Sequence, residues 1–347
     1  MSRVTAQLPL LLVVGPSGHG VVQYGADVAS ALIADGAARV EVAADPTAGR
    51  AAVERERSVH VHVTDRIFGD SPEAAAAVIE EWAALCRLTI TVHDVPQPSD
   101  GKMFARRVAA YHRMASAAEA TALNSAHEQH LWREHIGTAS LPAVIPLGAR
   151  IAQAPGLGPD AAASVADLVV LLAGFVYPGK GHRPAITAAA AAAAHLRAGG
   201  GDVGHVVVRA IGAPSRGHES DVDALRADAE ALGVELEVTG FLADDAFAQA
   251  LQAPGIPLAA HEHVSASRSM LDWVEVGRRP LVVDSRYARE MAELRPGTLS
   301  LYGPAALPAA LADAWLTPSR TWQEAGTALA PTLRDAAAAY AAWWQAP

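Results

Sequence analysis

Lysine occurs only at positions 102 and 180 of the 347 residues, and arginine carries the rest of the basic charge. Lys180 stands between two glycines in Gly174-Phe175-Val176-Tyr177-Pro178-Gly179-Lys180-Gly181-His182, after the apolar run 168–173. Glycine on both sides removes steric bulk, so an ammonium there can meet a diphosphate as a point charge. Ser265-Ala266-Ser267-Arg268-Ser269 precedes a helical pattern carrying Asp272 and Glu275. Small hydroxyl residues before a helix are N-caps by default. With Arg268 as clamp and Lys180 as partner, they also form an anion site. Gly15-Pro16-Ser17-Gly18-His19-Gly20 links the first apolar run to the first helix. Glycines there let backbone approach a ligand, and helix N-terminal amides suit a phosphate or carboxylate.

Two other chemistries fit less well. The glycine spacing departs from G-x-G-x-x-G, and the Tyr-x-x-x-Lys pair of a short-chain dehydrogenase is absent: Pro98 and Val176 stand four residues before the lysines. His60-Val61-His62, followed by Asp65 and His93-Asp94, places two imidazoles on one strand face, as a metal site requires. A barrel metallohydrolase would need eight continuous β-α units, and the chain divides into two series. The expectation is that His60 and His62 line or pack within a strand end and that no metal is bound. His93 closes a strand and opens the loop Val95-Pro96-Gln97-Pro98-Ser99-Asp100-Gly101. Strand C-termini are where open α/β sheets place ligands, and an imidazole there can bond or move a proton.

These residues need positioning elements, and the periodicity supplies them. Strands are expected at 9–14, 39–43, 59–63, 88–93, 120–124 and 143–146, alternating with helices at 24–34, 72–86, 106–118 and 126–135. Residues 148–161 are rich in Gly, Pro and Ala and read as a linker. A second series follows, with strands at 168–173, 205–211, 235–239, 256–259 and 280–283 and helices at 184–198, 220–232, 244–251, 267–276 and 287–294. A helical tail is expected at 322–344. The fold class is therefore α/β with two doubly wound domains. Length agrees, since single cores stop growing at roughly 250 to 300 residues.

Hydrophobic residues make up 51% and charged residues 18%, which excludes a disordered chain. The charge balance of 27 − 37 = −10 argues against coating nucleic acid. Cys86 is the sole cysteine, so no intrachain disulfide forms and the cytoplasm is the expected location. The apolar run 8–14 is too short to span a bilayer and reads as a strand, so no transmembrane segment is expected. Arg106, Arg107 and Arg113 form a thin basic patch, the one feature suited to peripheral membrane attachment.

Together the pieces resemble the GT-B glycosyltransferases of the retaining, nucleotide-sugar-dependent family 4 type, over most of the chain. The likeness lies in Gly18-His19-Gly20-Val21-Val22, Thr91-Val92-His93-Asp94, Leu123-Asn124-Ser125, Val144-Ile145-Pro146-Leu147-Gly148, the Lys180 segment, Val238-Thr239-Gly240-Phe241-Leu242 and Gly277-Arg278-Arg279-Pro280. It implies two Rossmann-like domains facing a cleft: an acceptor domain at 1–155, a donor domain at 156–321, and a final helix at 322–347 returning to the first. It implies catalytic roles for His93 and Lys180. Gly18, His19, Gly20, Ser265, Ser267, Arg268, Ser269, Asp272 and Glu275 would bind donor phosphate and sugar, and Gly240, Phe241 and Leu242 would border the base.

The implied reaction moves a hexose from a nucleotide diphosphate sugar to an acceptor hydroxyl of a saccharide, lipid or small molecule, without a further cofactor. Phe175 replaces the usual arginine five before the lysine, and Val264 replaces the first acid of a Glu-x7-Glu pair whose second place Asp272 holds. Arg209, Arg216 or Arg268 would have to replace the lost charge. A non-catalytic or pseudo-glycosyltransferase with the same fold is the alternative.

Overall fold

The computed structural model describes residues 8–36, 39–156, 166–261 and 264–345. The chain forms two compact units, one of Met1–Arg150 with Pro331–Pro347 and one of Ile151–Ala330. The end of the expected linker, 157–161, lies outside the described residues.

The first unit contains β1 (Leu10–Val14), β2 (Arg39–Ala43), β3 (Ser58–Val63), β4 (Arg87–Val92), β5 (Ala120–Leu123) and β6 (Ala143–Val144). They form one parallel sheet in the order β2-β1-β3-β4-β5-β6. All five residues of β1 are buried, as an unbroken apolar strand covered on both faces must be. The sequence predicts no helix between 43 and 59, yet Pro46–Arg55 is helical. Its start signal is local: the Asp45 carboxylate accepts from Ala48 N at 2.8 Å, and Pro46 occupies the first turn. The helix expected at 126–135 loses α geometry at Trp132–Ile136, which widens into a π turn closed by Gly137 at φ 62°.

The second unit contains β7 (Leu168–Ala173), β8 (Val206–Ile211), β9 (Glu235–Val238), β10 (Ile256–Ala259), β11 (Leu281–Val283) and β12 (Ser300–Tyr302). The order is β12-β11-β10-β7-β8-β9, all parallel. This is the Rossmann order, in which the winding direction reverses between the first and fourth strands, here β7 and β10. β7 is buried on both faces. Leu168, Val170 and Leu172 join the core under the helices His182–Ala198, Glu219–Ala231 and Leu307–Leu316, while Leu171 and Ala173 pack with Leu251 and Trp273. β12 and the helix Leu307–Leu316 were not expected, because a three-residue strand carries almost no periodicity of its own.

The tail also differs from expectation. Its helix begins at Leu333, not at 322. Before it, Thr327 O accepts from Ala154 N at 2.8 Å and Leu329 N donates to Ala152 O at 2.9 Å, so backbone that would have been helical is paired with 152–154. Thr332 and Asp335 then cap the helix: Asp335 accepts from Thr332 N and hydroxyl, and Asp335 N donates back to that hydroxyl. The helix packs on Gly20–Ala34 within the first unit.

Arg278 is the most buried charge among the described residues of the second unit. It is fully covered, donates to the carbonyls of Leu251, Ala253, Gly255 and Thr321, and lies 3.9 Å from the centre of the Trp322 ring. Arg278→Met leaves those carbonyls without their charged donor. The expected cost is about 3 kcal/mol in urea melts, with faster amide exchange at 251–255 and 318–323; a loss below about 1 kcal/mol would contradict this role.

Candidate functional site

Lys180 and His261 follow β7 and β10, so they meet where the winding of the second sheet reverses, the crevice in which open α/β sheets take ligands. The loop after β7 reaches this place through close backbone approaches. Gly181 has φ 97°, and a Cβ there would collide with the Ala260 carbonyl. Gly212, after β8, is pressed in the same way against the Gly174 carbonyl. Neither position accepts a side chain.

The Lys180 ammonium is buried, donating to His261 Nε2 at 2.7 Å and to Ser269 Oγ at 2.9 Å. Burial lowers its pKa from 10.5 to about 8, with Asp272 acting weakly in the other direction. Burial first, and then the neighbouring Lys180 and His182, hold His261 well below the ordinary histidine range. His182, which opens the helix His182–Ala198, is lowered to about 4 by burial and by Lys180. A cavity of about 280 Å³ beside this loop is lined by Tyr177, Pro178, His182, Asp221 and Leu225 among others.

The serine segment divides its work. Ser267 caps the helix Arg268–Glu275 by accepting from Met270 N at 3.2 Å, Ser269 holds Lys180, and Ser265 is buried. Arg268, expected as an anion clamp, donates instead to Asp272 at 2.9 Å and to Glu275 in a close ion pair. Arg209 likewise pairs with Glu237, and Arg216 is exposed. Gly240 takes φ 74° after β9, which leaves Phe241 exposed, while Leu242 packs toward Leu251 and Trp273.

In the first unit, the Gly18–Gly20 turn follows β1 beside the reversal between β1 and β3. Gly18 and Gly20 are exposed, and His19 caps the helix Gly20–Ala34 through Nδ1, which accepts from Val21 N at 3.2 Å. His93 is buried, its Nε2 2.9 Å from His62 Nδ1, with the Tyr24 ring edge-on to both. Burial pushes His62 down to about 3 and His93 well below its usual value, so this pair is neutral. His60 uses both nitrogens on hydroxyls, Thr89 at 2.9 Å and Thr91 at 3.2 Å, under the rings of Tyr340, Trp343 and Trp344. The His-x-His spacing thus serves packing. Among the described residues no cluster of three or more His, Cys, Asp or Glu could hold a metal ion.

The expected basic patch is not free. Arg106 pairs with Glu73 and Arg113 with Glu80, while buried Arg107 binds Asp65, Asp94 and Asp100 and so fixes the loop that His93 opens. Among the described residues no helix is long and apolar enough to cross a membrane. His261, His182 and the partnership of His62 with His93 are absent from the site expected from sequence. His182 was visible two residues after Lys180, whereas His261 has no local signature and is found only through strand order.

No family model matches the sequence, and no curated protein does. Solved structures do. HepE of Anabaena in complex with UDP-glucose is 16% identical, covers 97% of each chain and has a TM-score of 0.67. Sucrose-phosphate synthase of Thermosynechococcus elongatus is 14% identical, covers 96% of this chain and 94% of its own, and has a TM-score of 0.67. An OtsA structure is 12% identical over 93% of this chain and 76% of its own, at 0.56. The chain thus has the GT-B fold, as the sequence resemblance implied.

Lys180 separates site from scaffold. Its folded pKa near 8 lies below its ordinary 10.5, so keeping the buried side chain protonated costs stability: the cost is absent above about 10.5, grows as pH falls, and is complete below about 8. Lys180→Met removes that penalty of roughly 3 kcal/mol. The variant is expected to be at least as stable as wild type at pH 7, with a flatter stability profile between pH 8 and 10.5, and to lose at least 100-fold in ligand-dependent turnover. Wild-type turnover in this variant would remove Lys180 from the site.

Proposed function

We propose that the protein transfers a hexose from a nucleotide diphosphate sugar to an acceptor hydroxyl with retention of configuration. The observation that carries this reading is the buried Lys180 ammonium, bonded to Ser269 and His261 at the switch point of the second sheet. HepE, which shares the fold, is solved in complex with UDP-glucose. The second unit binds the donor and the first binds the acceptor, a saccharide, lipid or small molecule.

Negative charge grows on the departing diphosphate as the glycosidic bond breaks. Lys180 and the amides opening the helix Arg268–Glu275 stabilise it. In the first unit the Gly18–Gly20 turn, with His19 beside it, offers backbone to donor phosphate. Gly240, Phe241 and Leu242 border the base, Phe241 offering an exposed ring for stacking. Asp272 and Glu275 orient Arg268 and, through it, the donor side of the helix. His93, neutral and oriented by His62, offers a hydrogen bond to a hydroxyl of the transferred sugar. Because the ammonium and the amides carry the charge, the reaction proceeds without a metal or other cofactor, in the cytoplasm.

Phe175 is exposed where the resembled pattern has arginine, which supports the second reading, a binding module without transfer. A panel of nucleotide sugars separates the two. One donor is expected to raise the melting temperature by several degrees and to release nucleoside diphosphate on mixing with acceptor, equally in the presence of EDTA. Stabilisation without release supports the binder, and activity abolished by EDTA contradicts the metal-free reaction.

A further inference from the structure

The second unit lacks the arginine that would share the diphosphate with Lys180, and two of the three candidate replacements are engaged elsewhere: Arg209 by Glu237, and Arg268 by Asp272 and Glu275, while Arg216 is exposed. The group that does stand on the ammonium is His261. Its Nε2 lies 2.7 Å from Lys180 Nζ, and because a lysine ammonium only donates, Nε2 accepts. The ring proton therefore sits on Nδ1. That atom is buried and has no hydrogen-bond partner among the described residues. A buried N–H left unpaired is costly, and a ligand oxygen would recover that cost.

From this geometry we infer that His261 is a second ligand for the donor's diphosphate and takes up a proton when the donor binds. The inference rests on the donor reading above. In the ligand-free protein the imidazole is neutral, first because it is buried and then because the Lys180 ammonium lies 2.7 Å away; a proton on His182, at the start of the helix after Lys180, would oppose it further. The nearest acid on the helix packed against the site, Asp272, is engaged by Arg268, as is Glu275. A diphosphate brings about two negative charges into this enclosure and reverses the balance. The proton comes from solvent and occupies Nε2, so the imidazolium donates from Nδ1 and Nε2, and Lys180 turns its N–H toward phosphate while keeping Ser269.

This arrangement differs from a fixed Lys–Arg clamp in one measurable way: affinity and proton uptake are linked. A nucleotide sugar does not itself titrate near neutrality, so the protein is the only source of the signal. The experiment is calorimetric titration of the full chain at pH 7.0 with UDP-glucose, ADP-glucose and GDP-mannose, each in buffers of different ionisation enthalpy. Lys180 is already mostly protonated at that pH. For the donor that binds, uptake of nearly one proton is expected, with affinity tightening up to tenfold per unit fall in pH around neutrality. H261Q is expected to bind more weakly and to lose the uptake, while H182N keeps it.

Binding with less than about 0.3 proton taken up overturns the role of His261, and the wild-type count alone decides this if H261Q folds poorly. Uptake that persists in H261Q and disappears in H182N overturns it too, and assigns the proton to His182. Failure of all three donors to bind is a different result, which removes the donor reading and this inference with it.

Discussion

A buried ammonium is the constraint around which the second unit is arranged. Lys180 is driven toward neutrality by burial and is not held by a carboxylate; its two partners are an imidazole and a hydroxyl. Neutral partners solvate an ammonium without cancelling its charge, and so leave the charge for a ligand. The backbone is shaped to this end. Gly181 and Gly212 accept positive φ and carbonyl contacts that no side chain allows, which draws the loops after β7, β8 and β10 together at the reversal of the sheet. A carboxylate in place of His261 or Ser269 would stabilise the apo protein and work against an anionic ligand.

Elsewhere the chain handles buried charge in the opposite way. Arg107 is surrounded by three carboxylates, and Arg268 by two. These arginines are held within the protein and position loops and helices. Arg278 gives its protons to backbone carbonyls, an arrangement suited to binding chain segments together. The histidines of the first unit are a third solution: three imidazoles kept neutral by burial, paired with threonine hydroxyls or with each other, and walled by Tyr24 and the aromatic residues of the last helix. The distinction between a charge neutralised in place and one left with neutral partners is what marks Lys180.

Much of the fold was legible because its signals are local. β1 and β7 are apolar along their whole lengths, and helices such as Pro72–Leu85 begin at serine caps. The helix Pro46–Arg55 had the same kind of signal, Asp45 followed by Pro46, and could have been found. β12 could not, because Ser300–Tyr302 is a strand only through its pairing with β11. The tail fails as a single helix because residues 322–332 are engaged elsewhere, Trp322 under Arg278 and 327–329 along 152–154.

By itself the sequence determined that apolar runs and helices alternate in two series and that three glycine- or serine-rich turns open helices. Those properties depend on residues within a turn or two of one another. Tertiary structure decided which groups these turns meet. His261 comes to Lys180 across 81 residues because β10 lies next to β7, and His93 comes to His62 across 31 because β4 lies next to β3. Arg268 looked like an anion clamp, but the helical spacing places Asp272 and Glu275 one and two turns along, where they bind it first. A side chain's charge is written in its residue type, but whether that charge faces a ligand depends on which partners the sheet order and helix packing bring within reach.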